Sequence, residues 1–278
     1  MTSAIDPSVI GAGNIDKASV RLQLERARDE ITDLQSDLAT LPSTLLYGLR
    51  NLLINANPTV NQRAYVSGTA TTVANQYTLD MWRVVVSGQS LSWTDSAGIR
   101  TVTFPAGGGE QIIEGASIFT GTHTLSWTGT ATAAVNGTSV ANGAQVSLTG
   151  GTNATLRFTN GTVSRPQLEP GSVVTPFERR HPQLELGMCQ RYYELALAVF
   201  FGRNEVGVAS FNETALPFKV QKRTTPAVTL FSSITTTGVT ARTSINITTV
   251  GCGIQLQTVA GPTNFGDTAL WAVDASLT

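Results

Sequence analysis

Charge is what this sequence has least of. Asp, Glu, Lys and Arg make up 13% of its 278 residues, about half the share usual in a soluble domain. They nearly cancel, leaving a formal net charge of −1. A general nucleic-acid binder needs a basic face, and no run of Lys or Arg supplies one. Disorder needs high net charge with few apolar residues, whereas 41% of this chain is hydrophobic. Histidine and cysteine are equally sparse. His123 and His181 lie far apart, and Cys189 and Cys252 make no disulfide framework. No metal-ligand spacing occurs, so neither a metal nor a cofactor is expected. The longest strongly apolar stretch, Leu195 to Phe201, is too short to span a bilayer, which excludes membrane insertion. The segment Met1 to Pro7 has no basic or apolar region of a secretory signal. The chain therefore reads as made in a reducing cytoplasm, and its Asn-x-Thr triplets are what a Thr-rich sequence yields by chance.

What is present changes character along the chain. Residues 1–15 hold Pro, Gly, Ser and Asn without a period and read as an extended arm. From Val20 the apolar positions then alternate by four and three: Leu24, Ala27, Ile31, Leu34, Leu38, Leu41 and Leu45. That is the heptad of a coiled coil, and a helix so patterned cannot bury its seam alone. With Leu24 at a, the a positions continue at Ile31, Leu38 and Leu45, while Ala27, Leu34 and Leu41 fall at d. The heptad does not set the number of strands. Ile31 at a with Leu34 at d suits a dimer, and Leu38 with Leu41 decides nothing. Pro42 stops or kinks the helix, and a second short helix is expected over Ser43 to Leu53, so that residues 16–54 form a stalk.

From about residue 55 the period falls to two. Tyr77, Leu79 and Met81 alternate against Trp82 and Val84, and the pairs Leu91/Trp93, Val102/Phe104, Leu125/Trp127 and Leu156/Phe158 follow. Turn signals such as Ala97-Gly98, Asn136-Gly137, Asn142-Gly143 and Asn160-Gly161 separate them. Short strands at this spacing predict an all-β sandwich or jelly roll over residues 55–180. Pro176, Pro182 and Glu178-Arg179-Arg180 mark its end. A linking helix is expected over residues 181–198, and alternation resumes through Val228 to Phe231, Ile254 to Leu256 and Leu270 to Val273. Residues 199–278 thus read as a second β-sandwich. The fold class is mainly β, behind an N-terminal coiled coil.

Catalysis finds little support in the residue pattern. No G-x-S-x-G, P-loop or H-E-x-x-H motif is present. The pairs Glu110/Glu114 and Asp80/Asp95 have the residue types of glycosidase carboxylates, but turn and surface roles account for such residues more often. No enzyme is expected. The tryptophans are the better candidates for chemistry, because apolar sugar faces stack on aromatic rings. Trp82 fits the core. Trp93 and Trp127 fit either core or platform, and of Tyr192 and Tyr193 one is expected to be exposed. Trp93, Trp127 and Tyr193 are the candidate ligand-binding residues.

Several segments resemble tail-fibre proteins of tailed bacteriophages and prophages. They include Asn51-Leu52-Leu53-Ile54-Asn55, Gln62-Arg63, Tyr77 to Trp82, Arg165 to Ser172, Thr175 to Arg180, and Cys189-Gln190-Arg191-Tyr192-Tyr193. Pro217 to Val220, Arg223 to Pro226, Trp271 to Ala275 and the opening Asn14 to Arg21 are similar to the same group. The resemblance covers most of the chain. It implies a virion protein assembled in the host cytoplasm as a homotrimer, with a jelly-roll module and a β-sandwich tip facing outward, often toward host-surface glycans. It also implies that the N-terminal arm docks on another virion protein of tail, collar or capsid, and Ile5, Val9, Ile10 and Ile15 are that arm's candidate anchors. A capsid-decorating or collar fibre without a specific receptor is the alternative.

Overall fold

The computed structural model describes residues 17–40, 49–205 and 208–278. The arm with Ile5, Val9, Ile10 and Ile15, and the seam residues Leu41 and Leu45, lie outside them. The chain divides into two units between residues 48 and 49. In the first, helix α1 runs from Lys17 to Thr40, roughly 36 Å at 1.5 Å per residue. Its 4–3 apolar positions face solvent: Leu24 is 65% exposed, and Val20, Ile31 and Leu34 are exposed beside it. Ala27 is half-buried, and Leu38 lies on the helix. The helix is thus present, and among its described 4–3 positions Val20, Leu24, Ile31 and Leu34 are exposed in the single chain.

The second unit begins as extended chain. The expected short helix is absent over Leu49 to Leu53, because this segment is drawn into the neighbouring sandwich. Leu52 N donates to Leu168 O at 2.8 Å, and Leu53 is wholly buried. Eleven strands follow in two antiparallel sheets. They are β1 (Gln76–Tyr77), β2 (Arg83–Val84), β3 (Ser92–Ser96), β4 (Ile99–Phe104), β5 (Gly109–Ile113) and β6 (Gly121–Thr128). Next come β7 (Thr132–Val135), β8 (Thr138–Val140), β9 (Gln145–Leu148), β10 (Ala154–Thr159) and β11 (Gly161–Pro170). One sheet has the order β1-β2-β5-β10-β7-β8 and the other β3-β4-β11-β6-β9.

From β4 to β11 successive strands alternate between the sheets, except for the β7–β8 hairpin. Asn136 and Gly137 make that hairpin with φ of 50° and 80°, the left-handed pair that a two-residue turn requires. The expected alternation from Tyr77 to Val84 is interrupted. Trp82 O accepts from Thr78 N at 2.9 Å and Met81 has φ 70°, so β1 and β2 are two short strands around a turn. The core is aromatic at its centre. Trp82 meets Phe104 at 5.5 Å between ring centroids, and Phe158 meets Phe104 and Trp127 at 5.4 Å each. Fully buried leucines, among them Leu79, Leu91, Leu125, Leu156 and Leu168, fill the rest.

The expected linking helix is shorter than its segment. Helix α2 spans Pro182–Gln190, capped by His181, whose Nδ1 accepts from Gln183 N at 3.3 Å. The chain from Tyr193 is already strand. Its buried residues alternate at Glu194, Ala196, Ala198 and Phe200, a period of two that an unbroken helix would not bury on one face. The second sandwich therefore starts at Tyr193. Its strands are β12 (Tyr193–Asn204), β13 (Phe211–Pro217), β14 (Ala227–Thr237), β15 (Val239–Ile245), β16 (Gly251–Thr258) and β17 (Thr263–Asp274). Two three-stranded antiparallel sheets, β12-β17-β14 and β13-β16-β15, face each other. Ile254, Leu256, Trp271, Val273 and Phe265 lie between them with the smaller Ala196, Ala198, Ala269 and Cys252.

Candidate functional site

Within residues 49–278 the segments that resemble phage fibres come together in space, and most of them build two polar joints. The first joint ties the sandwiches to each other. Arg63 donates to Asp274 Oδ2 at 3.1 Å and to Ser276 Oγ at 2.7 Å, and its guanidinium lies 3.7 Å from the Tyr193 ring centroid. Gln62 Nε2 donates to Asp80 Oδ2 at 2.7 Å and to Tyr193 O at 2.9 Å. Tyr77 Oη donates to Leu277 O at 2.8 Å. Arg191 forks onto Glu114 at 3.0 and 3.1 Å, and Tyr192 Oη donates to the same carboxylate at 2.7 Å. Below them Lys222 and Glu194, both wholly buried, pair at 3.0 Å, and Lys222 also donates to Gln190 O. Met81, Ile112, Cys189, Tyr192 and Leu277 form the apolar part of the joint.

The second joint closes the base of the first sandwich. Arg180 donates to Leu53 O at 2.8 Å and to Asn51 O, and it pairs with Glu178 at 3.4 Å and Glu185 at 3.5 Å. Glu169 has no solvent exposure and accepts from Thr175 N at 2.9 Å and Thr175 Oγ1 at 2.5 Å.

Titration in the first joint follows from burial against pairing. Burial pushes the Glu114 carboxyl up, but hydrogen bonds from Arg191 and Tyr192 outweigh it and leave it below its usual range. Asp274 behaves alike, with burial opposed and exceeded by Arg63 and Ser276. Asp80 goes the other way, since burial exceeds what Gln62 and Arg63 return. Burial also pushes the Tyr77 hydroxyl up to about 12 and lowers the Lys222 ammonium against the pull of Glu194.

The four carboxylates weighed for glycoside chemistry are all engaged. Glu110 is buried between Arg83 at 2.5 Å and Arg157 at 2.8 Å. Glu114 and Asp80 belong to the joint. Asp95 holds both Nε and Nη2 of Arg100 at 2.8 Å. Among the described residues no group of three or more His, Cys, Asp or Glu is placed to hold a metal, and no helix is long and apolar enough to cross a membrane.

The three candidate aromatics separate. Trp127 is only 9% exposed and stands edge-on to Phe158. It is a core residue, which corrects the reading of it as a platform; β6 is an inner strand of its sheet, and the alternation Leu125/Trp127 points inward. Tyr193 is 5% exposed beneath Arg63, and Tyr192 is buried as well. The expectation that one of the two faces solvent fails because both lie in the joint between sandwiches. Trp93 alone stays at the surface. It is half-buried on the edge strand β3, between the Tyr65 ring at 6.1 Å and the Arg100 guanidinium at 4.6 Å.

Arg100 connects this stack to a concavity. Its Nη1 donates to Pro58 O at 2.9 Å and its backbone N donates to Asn57 Oδ1 at 2.8 Å. Asn57 in turn lines a hollow of about 290 Å³ with Phe177, Glu178, Arg179, Arg180 and Glu185. Arg180 is committed to the two glutamates, whereas Arg179 is exposed and, among the described residues, reaches Gly98 O at 3.5 Å. Planar polar groups beside an aromatic stack suit the hydroxyls and apolar faces of a sugar. The pattern of residues pointed to Trp93. It had no way to supply Tyr65 or Asn57, and it reads Arg179 as part of a solvated hinge; the places of all three come from loops folded against the β3–β4 hairpin. Comparison with protein-family models, with curated proteins and with solved structures returns no match.

Proposed function

We propose that this chain is a structural fibre protein of a bacteriophage virion that attaches to the host surface by binding a cell-envelope glycan. The observation that carries the proposal is the uncovered heptad seam of α1 joined in one chain to two β-sandwiches fastened by the fibre-like segments. In this reading α1 is a trimeric coiled coil, the residues before it dock on a tail, collar or capsid protein, and the sandwiches are presented outward. The order β4-β11-β6-β9 opposite β5-β10-β7-β8 supports a jelly roll for the first sandwich, since consecutive strands alternate sheets around a single hairpin. The engagement of Glu110, Glu114, Asp80 and Asp95 with arginines or amides supports binding without catalysis.

Trp93, with Tyr65, Arg100 and Asn57 around it, is the glycan platform in this proposal. A glycan array or whole-cell binding assay tests it: Trp93→Ala abolishes binding while the melting temperature stays near wild type. Failure of the wild-type protein to bind host cells or their polysaccharide would overturn the receptor function. A collar or decorating fibre is the second reading, favoured by the burial of two of the three candidate aromatics. The trimer is tested separately by light scattering. The wild-type mass should be that of three chains, and Ile31→Asp with Leu34→Asp should lower it.

A further inference from the structure

The outer face of the sheet β12-β17-β14 is built like the middle of an interface. On β12 the side chains facing away from the core are Leu197, Val199 and Phe201, exposed by 52%, 41% and 80%. Across the ladder Leu197 pairs with Leu270, Val199 with Thr268 and Phe201 with Gly266. The next strand continues these rows. Its register shifts between Leu230 and Ser232 and between Ser233 and Thr235, which makes Phe231 and Ile234 the extra residues of two bulges. A bulge places two residues opposite one and re-aims a side chain. Phe231 is thereby inserted beside the rung of Leu197 and Leu270, and Ile234 beside the rung of Val199 and Thr268. Their exposures are 42% and 58%.

No charged side chain interrupts these rows. Glu194 and Asp267 of the same ladder point inward, and on the outer face of the described residues charge stands at the two ends: Asp274 with Arg63 at one, and Arg203 with Glu205 at the other. An apolar centre inside a charged rim is the anatomy of a protein–protein interface. At roughly 200 Å² for a fully exposed side chain of this size, the five exposed residues offer about 550 Å². Their Thr, Ser and Ala neighbours bring this toward the roughly 800 Å² that each partner of a stable complex buries. Strand β14 sharpens the need for cover. It is an eleven-residue edge strand, AVTLFSSITTT, without charge, proline or glycine, and an edge of that composition invites aggregation when left bare.

We infer that this face is an interface between copies of the same chain. The area and the uncharged, charge-rimmed layout suit a self-complementary contact, and the bulges direct packing through side chains instead of addition of a strand. The same chain carries a second uncovered apolar surface, the α1 seam, which also calls for further copies. The inference rests on the oligomeric part of the proposed function and is independent of any receptor.

Hydroxyl-radical footprinting of the purified full chain tests it, read against sedimentation mass. Phe211, exposed on the opposite sheet, is the internal reference. The expected result is an oligomer in which Phe201 is oxidised several-fold more slowly than Phe211. Equal oxidation of the two would overturn the inference, and so would protection of Phe201 in a monomer, which would assign the cover to the chain itself. Leu197→Asp with Phe201→Asp should lower the melting temperature or the mass of the oligomer, and no change in either would also overturn it. Ile31→Asp with Leu34→Asp separates the two contacts. Unchanged mass in that variant with Phe201 still protected removes the coiled coil and leaves this interface standing.

Discussion

The two sandwiches share one period-two strand pattern, yet they solve burial differently. The first encloses Trp82, Phe104, Trp127 and Phe158 among fully buried leucines. The second has long strands, twelve residues in β12 and in β17, around a core in which alanine and cysteine fill several places. Several large apolar side chains, Phe201, Ile234 and Leu197 among them, stand outside, while Trp271, Phe265 and Phe200 are buried. The same alternation can therefore produce a body that is complete in one chain or one that leaves an apolar face to be covered. The difference lies in which parity of each strand carries the bulk, and on β12 the outward parity carries more.

The largest effect should come from the first sandwich. Trp82→Ala removes the ring that packs on Phe104 and Phe158 and donates to Asn55 O at 3.0 Å. A loss near the top of the ~3–5 kcal/mol range for such truncations is expected in denaturant unfolding. Trp127→Ala should fall within the same range. A cost under about 1 kcal/mol for either would deny that this core is the self-sufficient one. Phe201→Ala provides the contrast, because in a dissociated chain it should shift stability by no more than about 0.5 kcal/mol.

Next is the joint. Lys222→Met leaves Glu194 buried without its cation, a change that costs about 3–5 kcal/mol at buried pairs. Lys222→Met combined with Glu194→Leu should recover most of that loss. If the double variant is no better than the single, the pair contributes through geometry that apolar groups cannot replace.

A smaller effect concerns acid. Glu114 and Asp274 have folded values below their ordinary 4.5 and 3.8. The stability they confer is complete above those ordinary values and is lost as pH falls through the lower folded ones. Asp80, raised by burial, has the opposite sign and partly offsets them. Acid titration followed by circular dichroism should show the joint failing below the ordinary carboxylate range. Glu114→Gln should be less stable at neutral pH and show a flatter acid limb, and an unchanged limb would remove Glu114 from the explanation. Within the first sandwich the smallest stability effect is expected at Trp93→Ala, since its ring is only half-buried on an edge strand, between Tyr65 and Arg100. Melting should move little, and a large drop would place Trp93 with Trp127 among the core residues.

Much of the outline was legible before any fold. A 4–3 apolar spacing specifies α1, and a period of two specifies β4, β6, β10, β16 and β17, because side-chain direction follows from backbone geometry alone. Two-residue turns such as Asn136-Gly137 were equally readable, since few residues tolerate positive φ. Other features depended on long-range contact. Leu52 and Leu53 look helical among leucines, but Leu168 draws them into extended chain. Tyr193 to Leu197 looks helical beside α2, but twelve paired residues of β17 hold it as strand. Trp93 and Trp127 share one local pattern, apolar residue then tryptophan at a spacing of two, and local pattern cannot say which strand lies at an edge. Strand order decides that, and strand order is a property of the whole chain.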